Sequence, residues 1–219
     1  MNSVILVAGG TGSRMKGKVP KQFELLYKKP VIVHSIEKFL RFDQHMQVIV
    51  SIHPDFRKKL ADILKKFGLK SIAVVDGGET RFHSVKNALA VLDNKAKIVA
   101  VHDAARPLVS IDTIKNIFSQ AKKTGAAIPV IAMNESLRKI SRQSSRAVDR
   151  NKYVIVQTPQ CFKKELLLKA YHQKYNSSFT DDATVVELLG KKISLTEGNV
   201  ENIKITYPKD LIIASALLK

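Results

Sequence analysis

Residues 4–22 read VILVAGGTGSRMKGKVPKQ: an apolar, β-branched run enters three glycines within four positions and then a cluster of cations. The run reads as a buried strand. Without a Cβ, glycine lets backbone N–H groups turn toward a ligand, and successive N–H groups form an anion cradle. Phosphate is therefore the expected ligand of this loop. Two familiar phosphate loops do not fit it. The dinucleotide fingerprint is met at Gly10 and Gly12 but has Met15 where the third glycine allows close helix packing. The Walker A spacing is met by Gly12, Gly17 and Lys18, but Val19 stands where a magnesium-binding hydroxyl belongs, and Pro20 biases Val19 away from the helix. What remains is a glycine loop followed by Arg14, Lys18 and Lys21, suited to a polyphosphate.

Outward from this strand, short apolar runs at 47–52, 71–75, 97–102 and 126–131 alternate with helical patterns at 31–42, 55–67, 84–92 and 111–124. That alternation predicts parallel strands with right-handed helical crossovers. Residues 134–150, NESLRKISRQSSRAVDR, break the pattern with many hydroxyls and four arginines, and read as an excursion from the sheet: a solvated hairpin, or an arm packed on another subunit. The core pattern then resumes with strands at 153–157, 193–196 and 202–207, helices at 163–175 and 182–189, and a closing helix after Pro208.

The chain has 219 residues with 45% hydrophobic and 26% charged, ordinary proportions for one globular domain. No apolar run approaches the ~20 residues of a membrane span, and the single cysteine, Cys161, excludes an internal disulfide. A soluble cytoplasmic protein is expected. Lys+Arg outnumber Asp+Glu by 37 to 19, a net charge of +18 that points to an anionic partner. Most lysines are scattered along helix faces, without the basic helix or aromatic motif of a nucleic-acid binder, which is kept as a remote alternative.

Four further segments carry chemistry. The HDAARP segment at 102–107 ends a predicted strand, where an acid at Asp103 is placed to orient magnesium, or else Asp103 and Arg106 simply pair with each other in the structure. The QTPQCF segment at 157–162 offers the Thr158 hydroxyl to an anion. TDDA at 180–183 and NIKIT at 202–206 follow, and Lys204 in an apolar strand is expected to face an anion. No histidine or cysteine cluster with metal spacing and no GxSxG elbow occurs.

In this order the segments resemble the 2-C-methyl-D-erythritol 4-phosphate cytidylyltransferase family. The matching pieces are AGGTGSRM (8–15), PKQ (20–22), GGETRFHSV (77–85), HDAARP (102–107), VDR (148–150), TPQ (158–160), TDDA (180–183) and NIKIT (202–206). The resemblance implies a Rossmann-like α/β nucleotidyltransferase fold, with a mostly parallel twisted sheet flanked by helices. It implies one domain, 1–219, with a protruding dimerisation arm at 134–152. It implies transfer of CMP from CTP to the methylerythritol phosphate with magnesium, by a homodimer. Arg14, Lys21 and Lys204 would act on the phosphates, and Ala8, Gly9, Gly10, Thr11, Gly12, Gly77, Glu79, Ser84, Asp103 and Ala104 would bind CTP, with Asp103 assisting the metal. Arg106, Ser136, Arg150, Thr158, Thr180 and Asp181 would bind the acceptor, Ser136 and Arg150 from the other subunit's arm. Glu79 stands where Asp is usual in the family, and Ser136 replaces a Thr. Ala8-Gly9-Gly10 replaces the commoner Ala-Ala-Gly and is also found in ribitol-5-phosphate cytidylyltransferases, which makes that acceptor the alternative.

Overall fold

The computed structural model describes residues 1–10 and 19–218. Chain order is β1 (Asn2–Ala8), β2 (Leu25–Leu26), β3 (Lys29–Pro30), α1 (Val31–Phe42), β4 (Gln47–Ile52), α2 (Arg57–Lys66), β5 (Ile72–Asp76), α3 (Arg81–Leu89), β6 (Ile98–Asp103), α4 (Ile111–Thr124) and β7 (Ala126–Ala132). There follow β8 (Leu137–Ile140), β9 (Ser145–Val148), β10 (Val154–Val156), β11 (Gln160–Lys163), α5 (Lys164–Tyr171), α6 (Asp182–Glu187), β12 (Ser194–Glu197) and α7 (Pro208–Leu217).

The opening strand lies inside the sheet, parallel to β4 on one side and β6 on the other. Period-two geometry sends Val4, Leu6 and Ala8 to the face covered by α1, α2 and α4, and Ile5 to the face covered by α3, α5 and α6. Val4, Ile5 and Leu6 are fully buried, each worth roughly 1.5–3 kcal/mol by transfer. Both faces are therefore apolar, which explains the unbroken hydrophobic run.

The parallel strands β5, β4, β1 and β6 are followed by one antiparallel strand, β11, paired with both β6 and β7, and β12 lies parallel to β7. Helix α4 occupies its expected residues, begun by the Ser110 hydroxyl, which accepts the Thr113 N–H at 3.0 Å, and ended by Gly125 at φ 95°. Residues 134–150 hold the β8–β9 hairpin, hydrogen-bonded apart from the main sheet.

Three expectations change. Residues 202–207 form no strand: the Ile205 N–H donates to the Ala105 carbonyl at 2.9 Å, so this segment is tied to the loop after β6. Helix α3 begins at Arg81, earlier than expected, because Thr80 caps it. Helix α5 stops at Tyr171. No helix among the described residues is long and apolar enough to cross a membrane.

Candidate active site

Ligands in open α/β sheets bind beyond the carboxyl ends of the strands, where the order reverses. Here that point lies between β1 and β6. A cavity of about 290 Å³ sits there, lined by Val7, Gly9, Gly10, Lys21, Gly78, Glu79, Thr80, Arg81, Ser84, Asp103, Ala105 and Lys204. Gln22 is 2% exposed and holds the glycine turn, donating from Nε2 to the Ala8 carbonyl at 2.8 Å and the Gly10 carbonyl at 3.3 Å. Lys21, beside it, thus reaches the cavity.

The opposite wall is the start of α3. The Ser84 hydroxyl accepts the Gly78 N–H at 3.1 Å and donates to the Thr80 carbonyl at 3.0 Å, so it shapes the loop while also lining the cavity. A Cβ at Gly77 or Gly9 would come within 3.2 or 3.4 Å of that hydroxyl, and one at Gly78 would overlap the His83 Cβ. Gly77 gives its N–H to the Ile52 carbonyl at 2.7 Å, and Gly78 lines the cavity in its place. Ala104 is also structural: its N–H goes to the Val7 carbonyl at 3.1 Å and its carbonyl accepts from Ser35, leaving Ala105 to line the cavity.

Asp103 stands at the centre, 9% exposed. Lys204 Nζ is 2.8 Å from Oδ2, Arg106 Nε 3.5 Å from Oδ2 and Arg81 Nε 3.7 Å from Oδ1. Burial alone would raise the carboxyl pKa, but Arg81, then Lys204 and Arg106, outweigh it and hold the group well below the ordinary range. It is ionised at neutral pH. The anion that Lys204 was expected to face is thus a side chain of the protein itself. Arg106 donates from Nη1 to the Asn202 carbonyl at 2.7 Å, while its buried Nε has no hydrogen-bond partner among the described residues.

A second cavity, of about 280 Å³, shares Arg81, Asp103 and Lys204 with the first and is completed by Arg106, Val156, Gln157, Thr158, Gln160, Thr180 and Asp181. The Thr158 hydroxyl there is engaged. Buried His102 is held to a pKa of about 4 by desolvation and is neutral at pH 7. Its Nε2, 3.1 Å from the Arg106 carbonyl, must be the donor, so Nδ1 is an acceptor and takes the Thr158 O–H at 3.1 Å. The Thr158 oxygen in turn accepts the Asp103 N–H at 3.1 Å. This chain fixes the tip of β6. Asp181 likewise caps α6, accepting the Thr184 N–H at 2.9 Å, and takes the Gln160 amide at 2.7 Å. Exposed Thr180 lies 3.3 Å from the Thr184 hydroxyl.

Ser136 and Arg150 line neither cavity. Ser136 is exposed ahead of the hairpin, and the Arg150 guanidinium donates to the Asn134 carbonyl at its base. Thr11, Gly12 and Arg14 lie outside the described residues. The structure adds Gln22, Arg81 and Asp182 to the residues that build the site. A glutamine beside the lysine and a Thr-Arg pair were visible signals, but their partners lie far along the chain.

The family model described as 2-C-methyl-D-erythritol 4-phosphate cytidylyltransferase matches residues 2–219. A protein of that name from Bacteroides fragilis is 47% identical over 219 residues, covering 99% of each chain. The crystal structure of 4-diphosphocytidyl-2C-methyl-D-erythritol synthase from Anaerococcus prevotii superposes with a TM-score of 0.86 at 26% identity, covering 100% of this chain and 98% of the other. The 2-C-methyl-D-erythritol 4-phosphate cytidylyltransferase from Thermus thermophilus gives 0.75 at 28%, covering 99% and 98%.

Proposed function

The chain belongs to the 2-C-methyl-D-erythritol 4-phosphate cytidylyltransferase family, and from that premise we propose that it transfers the cytidylyl group of CTP to the phosphate of 2-C-methyl-D-erythritol 4-phosphate, releasing pyrophosphate. The observation that carries this reading is the meeting of two cavities at one cation-rich wall, Arg81, Asp103 and Lys204. Two anionic substrates joined there bring at least five negative charges together. A pair of unit charges at 4 Å repels by about 1 kcal/mol in water and about 4 kcal/mol at an effective dielectric of 20. Lys21, Lys204, Arg81 and Arg106 offset that repulsion, and Arg14 is assigned to the triphosphate with them.

The acceptor phosphate oxygen is ionised at neutral pH and attacks the α-phosphorus in line. The bond to the bridging oxygen breaks, and pyrophosphate leaves with the electron pair. No proton needs to be abstracted, so a buried neutral His102 has no catalytic task. Positioning and charge stabilisation supply the acceleration. The glycine turn, Gly78 and Glu79 hold the base and ribose of CTP.

A magnesium ion fits this donor set. Among the described residues no group of three or more His, Cys, Asp or Glu is gathered to hold a metal. Mg²⁺ on a nucleotide needs only one or two carboxylates beside the phosphate oxygens. Asp103 is the ionised carboxylate that would hold it, and the ion would supply charge neutralisation.

The hairpin is read as the arm of a homodimer, carrying Ser136 and Arg150 to the acceptor in the other subunit. Ile140 at 81% exposure and the exposed row Tyr153, Val154, Ile155 and Val156 support that reading, because lone monomers rarely leave such a surface uncovered. The deciding assay is pyrophosphate release from CTP and magnesium with methylerythritol 4-phosphate against ribitol 5-phosphate, with ATP, GTP and UTP as controls. The expected result is preference for CTP and the methylerythritol acceptor. Preference for ribitol 5-phosphate overturns the acceptor assignment.

A further inference from the structure

Arg81 is the first residue of α3, and no sequence motif assigned it a task. Its guanidinium donates from Nη1 and Nη2 to the two carboxylate oxygens of Asp182, at 2.8 and 2.7 Å. Asp182 is fully buried, and the Tyr171 hydroxyl donates to its Oδ1 at 2.6 Å. The Tyr171 ring is itself stacked on Phe82, centroids 4.7 Å apart. Three helices, α3, α5 and α6, thus converge on one buried carboxylate whose only visible product is the fixed plane of one guanidinium. A buried ion pair is weak evidence for stability, since desolvation offsets most of the attraction. The pair must be explained by what it positions.

The Arg81 side chain is 27% exposed, and that exposure faces the site: Arg81 lines both cavities, with its Nε 3.7 Å from Asp103. Two N–H groups are committed to Asp182, and a guanidinium has five. We propose that Arg81 is a catalytic cation at the seam between the two cavities, and that Asp182 and Tyr171 are positioning residues that lock its donors toward the phosphoryl group in transfer. A donor immobilised before the substrates arrive needs no reorganisation as charge develops. This assignment rests on the cytidylyl-transfer reading. It requires a planar fork, which a lysine cannot supply, because an ammonium cannot chelate both oxygens of Asp182 and keep a fixed plane.

The test measures steady-state pyrophosphate release and CTP binding by calorimetry for the full chain and for Arg81→Lys, Arg81→Ala and Tyr171→Phe. The wild type is assayed first. If it turns over with neither polyol phosphate, the function reading fails before any variant is compared; if only ribitol 5-phosphate serves, the variants are compared on that acceptor. Arg81→Lys is expected to lower kcat roughly 100-fold with KM for CTP changed less than about threefold, and Tyr171→Phe to lower kcat about three- to tenfold. Added guanidinium ion should restore part of the Arg81→Ala activity, and methylammonium at equal concentration should not. A kcat for Arg81→Lys within threefold of wild type, equal rescue by both cations, or no rescue in a folded Arg81→Ala protein that binds CTP normally each overturns the proposal.

Discussion

His102 shows how a buried residue beside the candidate site can hold its geometry without offering a group for chemistry. Its edge meets Phe39, centroids 5.0 Å apart, and both ring nitrogens are committed in the chain from Arg106 to Asp103. Desolvation lowers its pKa from 6.5 to about 4. The unfolded chain therefore binds a proton in that window and the folded chain does not, so stability falls as pH drops from about 6.5 toward 4, by up to about 3 kcal/mol. Denaturant unfolding at pH 7, 5.5 and 4.5 should show that slope, and His102→Gln should flatten it. An unchanged slope in the variant would assign it to another group. Acid loss tied to Asp103 has the same sign but comes lower, because its folded pKa lies below the ordinary range and its contribution persists until that carboxyl is protonated. Thr158→Val leaves the Asp103 N–H unpaired at nearly constant shape. It is expected to cost about 1–3 kcal/mol of stability and to lower kcat with little change in CTP affinity, read by unfolding and kinetics on the same preparation.

At the scale of the element, legibility followed locality. Helix α4 was readable to the residue because its apolar period, Ser110 cap and Gly125 terminator all lie within sixteen positions. Strand β11 is absent from the sequence reading, since four residues acquire strand character only by pairing with β6 and β7. In the reverse case, alternating apolar residues at 202–207 suggested a strand, yet that segment bonds to a loop. The late start assigned to α3 concealed Arg81, and Asp182 lies 101 positions away from it. Asp103, Lys204 and Lys21 were legible because chemistry restricts which residue types can serve. The two glycine-bearing loops behave differently under substitution. Gly78→Ala forces Cβ into His83 and should lower the melting temperature and activity together. Gly10→Ala meets no atom of the described residues within 4 Å and should leave the melting temperature unchanged while raising KM for CTP, because Gly10 lines the cavity. Thermal unfolding beside kinetics separates the two.

At the scale of the whole molecule, +18 is distributed over scattered lysines, but the cations that line the two cavities are few: Lys21, Arg81, Arg106 and Lys204. The homodimer reading makes a further demand here. If Arg150 completes the partner's site, Lys204→Ala and Arg150→Ala proteins, each nearly inactive alone, should regain activity when their subunits are exchanged. The recovery approaches one quarter of wild-type turnover at equal mixing, on the elementary count that one site in four inherits both native residues. No recovery after verified exchange would falsify the shared site.

The register of β10 on β7 places Val154 opposite Ala132, so the chain leaves the sheet and re-enters it at adjoining backbone positions. Residues 133–153 are therefore a cassette: one contiguous insertion whose two ends already meet. Such a cassette can be lengthened, exchanged or replaced by a tight turn without disturbing a single rung of the parallel ladder. Because both ends of the insertion sit on one pair of facing residues, the proposed contribution of Ser136 and Arg150 to a partner's site can be altered within this one segment while the strands that present Asp103 keep their register.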